Sequence, residues 1–480
     1  MKIKEILEEI SGYENLDLYD NKVYIDMYEE WYNGKSKDFH SYKVYNGKKF
    51  ISLKRMSLGM AKKVCEDWAN LLINEKTDIV LGNEQDSKTL EKILKDCRFW
   101  KKANQGIEKA FALGQCACVV NVNNISTRED GSIEKDGTIN VGFYSAKKII
   151  PITIEDEEIV ECAFISRQTG KTKFSAHLRD ENGNYVIHNF EATGKDEDNL
   201  TIDYETYYTF NTMSPLPWFA IIKPNICNNI SIDSPMGISV FANSIDTLKE
   251  IDLIFDSFAN EFALGKKRIF LSAQQQQVDM KTGEITDTFD SNDVVIYTLP
   301  EGDGGDTFYQ DGTTSLRVTD HQLGLQNQLN LLSYQCGFGT QHYKFDQGGV
   351  ATATQIVSEN SDMFRNIRKH EIIIEEVLIT ITRAIIYASN NFTPYSMAEG
   401  QEINIKFDDS IIEDKKSERE QDRLDVSMGA MSKVEYRSKW YNEDEKTAEK
   451  AINDMSVFSI QDDEEFALQG EQTAQNPSQE

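Results

Sequence analysis

The sequence predicts an α+β fold in which long helices brace a β-rich body, and three observations carry that prediction. Apolar residues recur at helical spacing along 234–268, and helical patterns return along 316–335 and 351–390. Between about 116 and 222 the period changes to short β-branched and aromatic runs separated by turn signals. The chain has 480 residues, too many for one ordinary core, so two to four domains are expected at about 150 residues each.

In chain order, residues 1–115 read as mainly helical. Met56, Met60, Val64, Trp68, Leu71 and Leu72 form one stripe within 54–74, and 87–113 suggests a further helical pair. The segments CACVVNV, GTINVGFYS, KKIIPITI, EIVECAFIS, KTKFSAHL, NYVIHNF and TYYTF follow, with turn dipeptides at Asp130-Gly131, Asp136-Gly137 and Asn182-Gly183. This alternation predicts an antiparallel sheet domain.

The stretch 234–268 reads as one long helix, opened by Ser234-Pro235 and closed by Gly265 with Lys266, Lys267 and Arg268 at the negative end of the dipole. Ile238, Phe241, Ile245, Leu248, Ile251, Phe255, Phe258 and Phe262 lie along one side, and Asp246, Glu250, Asp252, Asp256 and Glu261 along the other. At 1.5 Å per residue such a helix is roughly 40 Å long. A β-rich insert, 269–314, contains RIFLSA, DVVIYTLP and the Gly302–Gly305 turns. A second helix at 316–335 then carries Leu323, Leu325, Leu329 and Leu332 among many amides, so the two helices imply a hairpin with the insert at its tip.

The segment 337–350, GFGTQHYKFDQGGV, is bracketed by glycines and expected to move. The third helix, 351–390, opens on a capping-box pattern at Thr352 and Gln355, with a bend expected around Ser358, Asn360, Ser361 and Asp362. Residues 417–455 read as short helices broken at Gly429 and near Asn442, with capping boxes at Ser432/Glu435 and Asn442/Glu445. Beyond 460 the chain is acidic and poor in apolar residues, so a disordered tail is expected.

Composition narrows the function classes. A net charge of −29, from 80 acidic and 51 basic residues, argues against a protein that grips nucleic acid, because that requires clustered cations. It leaves open a protein that nucleic acid slides past. Seven dispersed cysteines, Cys65, Cys97, Cys116, Cys118, Cys162, Cys227 and Cys336, fit buried thiols in a reducing compartment. The start, MKIKEILEEI, lacks the apolar core of a signal peptide, and 372–388 is interrupted by Glu375, Glu376 and Arg383, so a chain that is cytosolic when made and has no membrane span is expected.

Catalytic and metal signatures are weak. Residues 167–174, RQTGKTKF, end like a phosphate-binding loop but lack its first glycine and sit between two strands, so a hairpin turn is the better reading. Cys116 and Cys118 share a strand face but have no companion pair, which favours core packing. His40, His177, His188, His321, His342 and His370 are far apart in sequence, and Asp303 and Asp306 miss the spacing of a calcium loop.

Three blocks, MAKKVCEDWANLLINEKTDI (60–79), GISVFANSIDTLKEIDLIFDSFANEFALGKKRIFLS (237–272) and ATATQIVSENSDMFRNIRKHE (351–371), together resemble the portal proteins of tailed bacteriophages of Gram-positive hosts. The resemblance implies a portal fold assembled as a ring, usually a dodecamer, at one capsid vertex. It implies a wing at 1–233 (helical to 115, sheet from 116), stem helices within 234–264 and 316–336, a small clip at 265–315 and a tunnel loop at 337–350. A long bent helix and wing return would occupy 351–408, a helical crown 409–460, and the tail 461–480. It implies a non-enzymatic conduit without cofactor or metal, through which double-stranded DNA is packaged and ejected. Its partners would be the terminase large subunit, a head-completion or adaptor protein, and the major capsid and scaffolding proteins.

A channel for DNA must repel or ignore phosphate, since each lasting contact hinders sliding. Asp246, Glu250, Asp252, Asp256 and Glu261 are therefore the channel-lining candidates; the bland alternative is a face that is solvated or paired with neighbouring subunits. Tyr343 and Lys344 are the tunnel-loop candidates for DNA contact, or else pack loop on loop. Arg365, Arg368 and Lys369 are intersubunit candidates that would bridge to a neighbour's acids, with DNA contact as the alternative. Rival readings are another ring or baseplate component of a phage-like particle, or a metal-dependent hydrolase.

Overall fold

The structure is a computed structural model that describes residues 2–16, 22–45, 47–125, 134–168, 170–194, 199–232, 234–264, 268–272, 277–278, 281, 285–286, 295–299, 309–311, 315–344, 361–407, 415–441, 443–444 and 446–453. The chain divides into two compact units, Met1–Gly348 with Ser361–Asp408, and Gly349–Asn360 with Asp409–Glu480.

The first unit starts with helices α1 (Ile3–Ser11), α2 (Lys22–Tyr32) and the short α3 (Lys37–His40), then a hairpin of β1 (Ser41–Tyr45) and β2 (Phe50–Lys54). Helix α4 (Met60–Leu72), strand β3 (Asp78–Leu81), and helices α5 (Glu84–Asp96) and α6 (Phe99–Leu113) follow. The helix expected at 54–74 thus begins only at Met60. Lys54 is spent on pairing with Ser41, and Gly59 sits at φ +73°, outside the helical region.

The strands expected between 116 and 222 form: β4 (Cys116–Asn123), β5 (Thr138–Ser145), β6 (Ile149–Glu155), β7 (Glu158–Gln168), β8 (Lys171–Arg179), β9 (Tyr185–Gly194), β10 (Leu200–Asn211) and β11 (Phe219–Ile222). They divide into two sheets, ordered β10-β9-β8-β7-β6 and β11-β4-β5, with every pair antiparallel. Between Gln168 and Lys171, which pair directly, the chain turns through Gly170 at φ +81°, so the phosphate-loop-like segment is a tight hairpin.

Both faces of the five-stranded sheet are covered, which explains runs such as CAFI that are apolar throughout rather than alternating. On one face Ile6 of α1 packs with Ile165, Phe174, Phe190 and Ala192. On the other, Cys162, Phe164 and Tyr185 meet Ala117, Val119 and Phe219 of the three-stranded sheet.

The long helix departs from expectation at its start. Helix α7 spans Ile245–Leu264, 20 residues and so about 30 Å, preceded by a single 3₁₀ turn at Ala242–Ser244. Residues 234–240 are not helical, because tertiary bonds claim their backbone. The N–H of Val240 and the hydroxyl of Ser239 both donate to the carbonyl of Phe111, at 2.9 and 3.1 Å. Gly237 lies against Gly114 so closely that a Cβ at Gly237 would fall 2.1 Å from the Gly114 carbonyl oxygen.

Next come β12 (Arg268–Ser272), β13 (Gln277–Val278), β14 (Ile285–Thr286), β15 (Val295–Leu299) and β16 (Tyr309–Asp311). They make a three-stranded sheet, β15-β12-β16, and a separate β13-β14 pair. Helix α8 (Val318–Gln335), helix α9 (Ser361–Phe392) and strand β17 (Ile403–Lys406) complete the unit, with β17 pairing antiparallel to β3. Strands β1, β2, β3 and β17 were not expected from sequence.

In the second unit, α10 (Lys415–Met428) is followed by α11 (Lys433–Tyr441), and 446–453 is also helical. The predicted capping box is present at α11: Ser432 N donates to Glu435 Oε2 at 2.8 Å, and Glu435 N donates to Ser432 Oγ at 3.0 Å. The expectations at Asp130-Gly131, at Asp303 and Asp306, at Thr352/Gln355, at Asn442/Glu445 and for the tail 461–480 lie outside the described residues.

Candidate functional site: the helix hairpin and the loop after it

Helices α7 and α8 run antiparallel, because opposite ends of their sequences meet. Thr247 Oγ1, near the start of α7, donates to Gln335 Oε1 at the end of α8 at 2.8 Å. At the other end Glu261 of α7 accepts from Arg317 Nε at 3.1 Å, Arg317 Nη2 at 2.9 Å and His321 Nε2 at 2.7 Å. Arg317 and then His321 hold the Glu261 carboxyl down at about 2, so it stays charged at neutral pH. Phe258 adds a ring contact to His321 at 5.4 Å between centroids.

The acidic face of α7 is therefore two surfaces. Asp246 and Glu250 are exposed, in line with Leu253, Ser257 and Asn260 on one outward face, and Asp246 pairs with Lys249 at 2.8 Å. Asp252 and Asp256 lie to one flank of that row, only 4% and 7% exposed. Asp252 accepts from His40 Nε2 at 2.9 Å and Leu58 N at 2.7 Å, while Asp256 accepts from Met56 N at 3.0 Å and Asn260 Nδ2 at 3.0 Å. These two carboxylates fasten residues 40–58 to the helix. Asp252, Asp256 and Glu261, expected as channel-lining acids, instead accept hydrogen bonds from within the chain, and Asp246 and Glu250 are the exposed pair.

The base of the hairpin is held by Trp68, which is fully buried. Its indole N–H donates to the Cys336 carbonyl at 3.0 Å, and its ring stacks on Phe338 at 4.6 Å beside Phe111 and His370. Phe338 in turn stacks on His342 at 4.4 Å. The hydroxyl of Tyr343 donates to Asp67 Oδ2 at 3.0 Å, with His342 Nε2 3.6 Å from the same oxygen. Burial opposes the Asp67 charge, but His342, Lys63 and Tyr343 together hold its carboxyl below the usual range. Burial, then the Asp67 charge, push the Tyr343 phenol upward. Tyr343 is accordingly an anchor at the loop's start, whereas Lys344 is exposed, its Nζ 3.3 Å from Gln341 Oε1. Residues 345–350 lie outside the described residues.

On α9, Arg365 pairs with Asp362 at 2.8 Å and Arg368 with Glu371 at 3.1 Å, both within the helix. Lys369 is exposed, and its carbonyl accepts from Asn225 Nδ2 at 2.6 Å. Six cysteines are buried and Cys227 is exposed, a departure from the expectation of seven buried thiols. Burial pushes Cys116 up to about 12, and Cys118 upward as well. Among the described residues no group of three or more His, Cys, Asp or Glu side chains is placed to hold a metal.

Sequence reasoning missed His40, Asp67, Arg317 and His321. His40 finds its partner 212 residues away and Asp67 meets Tyr343 across 276, so no local spacing could have signalled either.

Two braced antiparallel helices stand on a β-rich body, with the start of the following loop pinned at their base. The model of the family described as Phage portal protein, SPP1 Gp6-like, matches residues 18–464, and the chain belongs to that family. It is thus a phage portal protein, a structural component of the virion. No curated protein matches the chain. Among the described residues no helix is long and apolar enough to cross a membrane.

Proposed function

We propose that the chain forms the ring, a dodecamer in the usual arrangement, through which double-stranded DNA enters and leaves the capsid at one vertex. The observation that carries this beyond family membership is the outward face of α7. Asp246 and Glu250 head a row completed by Leu253, Ser257 and Asn260, a surface that offers duplex phosphate repulsion and few donors. In this reading residues 1–233 are the wing, α7 and α8 the stem, 265–315 the clip that docks the terminase large subunit and later an adaptor, and 409–460 the crown. Lys344 reaches toward DNA from the tunnel loop, and Lys369 with Arg365 and Arg368 faces acids of the next subunit. Major capsid and scaffolding proteins surround the wing. No cofactor is invoked, and ATP hydrolysis belongs to the terminase.

Particle imaging and a packaging assay test this. Wild-type protein forms rings with a hole wide enough for duplex DNA, and Asp246→Lys with Glu250→Lys forms rings that package less DNA. A compact monomer, or unchanged packaging by intact variant rings, would overturn the channel assignment.

A further inference from the structure

The β1–β2 hairpin is anchored at its base, and most of its strand residues are exposed. Its base is fixed to α7 through the bonds of Asp252 and Asp256 to His40, Leu58 and Met56, and Arg55 closes it by donating from Nη1 to the Phe39 carbonyl at 2.7 Å. The register pairs Tyr42 with Leu53 and Val44 with Ile51, so these four share one face, while Lys43, Tyr45, Phe50 and Lys54 share the other. An antiparallel sheet with a face of this kind ordinarily packs it on a core. Here Val44, Ile51 and Leu53 are 42%, 36% and 40% exposed, and Phe50 is 70% exposed. The hairpin forms a sheet of two strands only, so among the described residues both outer edges have no strand partner. Two-stranded hairpins are marginal on their own in water.

Charge identifies what covers it. In a chain of net charge −29, residues 41–55 contain five cations, Lys43, Lys48, Lys49, Lys54 and Arg55, and no acid. The rest of the chain is correspondingly more negative, so a second copy is a partner of complementary net charge. Duplex phosphate would match the lysines but would leave the aliphatic face of Val44, Ile51 and Leu53 in water.

We propose that this hairpin is a docking arm that lays its apolar and cationic faces against a second copy of the chain, held at a fixed angle by the two buried carboxylates of α7. The proposal rests on the ring reading above and names one contact within it.

The test uses full-length protein and mass photometry across a concentration series. Two variants are compared with wild type: Val44→Thr with Ile51→Thr and Leu53→Thr, and Lys43→Glu with Lys54→Glu. All five side chains are exposed, so both variants keep the wild-type circular dichroism spectrum and melting profile. Each is expected to need at least about tenfold more protein to assemble. Wild-type rings with both variants assembling equally well would sink the docking arm and leave the ring reading intact. A wild-type chain that stays monomeric would sink both. Normal assembly by variants that no longer retain a short DNA duplex at low salt would make the hairpin a nucleic-acid contact and overturn docking to a second copy.

Discussion

Replacing Asp252 by alanine tests the assignment of that buried carboxylate as a brace. The side chain is 4% exposed and accepts two bonds, from Leu58 N and His40 Nε2. Alanine leaves both donors inside the protein without an acceptor, at about 1–3 kcal/mol each, so the local cost is about 2–6 kcal/mol. A thermal melt registers such a cost but does not locate it at Leu58. Amide hydrogen exchange does, because Leu58 N–H is one of the two donors. A loss near the middle of that range accelerates exchange at Leu58 by roughly three orders of magnitude. Met56 N–H, bonded to Asp256 instead, is the internal control and changes less. The converse substitution, Asp256→Ala, releases Met56 before Leu58. Asp252→Asn keeps an oxygen for Leu58 N–H and so costs about 1 kcal/mol. Unaltered exchange at Leu58 in folded Asp252→Ala would refute the brace.

Two further outcomes follow from titration. Glu261 titrates near 2 in the folded chain against 4.5 ordinarily, so its bonds to Arg317 and His321 stabilise the hairpin fully above about pH 5 and fade as pH falls toward 2. In a pH series of thermal melts, the advantage of wild type over Glu261→Gln is constant at neutral pH and shrinks on acidification; an advantage that grows would contradict the clamp. His177 is fully buried between Phe164 and Phe219, its ring nitrogens have no hydrogen-bond partner among the described residues, and burial lowers it to about 3. A base with a lowered pKa takes up protons more readily when unfolded, so it costs stability as pH drops from 6.5 toward 3. His177→Phe is expected to change stability by less than about 1.5 kcal/mol at pH 7 and to make the protein more acid-resistant, read as a smaller fall in melting temperature between pH 7 and 4.

The sequence by itself determined the helices and strands whose side chains repeat at a fixed period. It gave the strands from 116 to 222, α8 to within two residues at its start, and the cap of α11, because each signal lies within a few residues of its effect. It also marked the chain's family, through blocks spread along most of its length. Tertiary structure alone decided where α7 begins and which of its acids face outward. The periodicity from Ile238 onward was helical, yet bonds from Ser239 and Val240 to Phe111 outweigh propensity there. Asp252 and Asp256 read like any other acids on a helical wheel, and only the folded chain brings His40, Met56 and Leu58 to them. A carboxylate's local sequence does not encode its burial, because the groups that satisfy its charge arrive from some two hundred residues away.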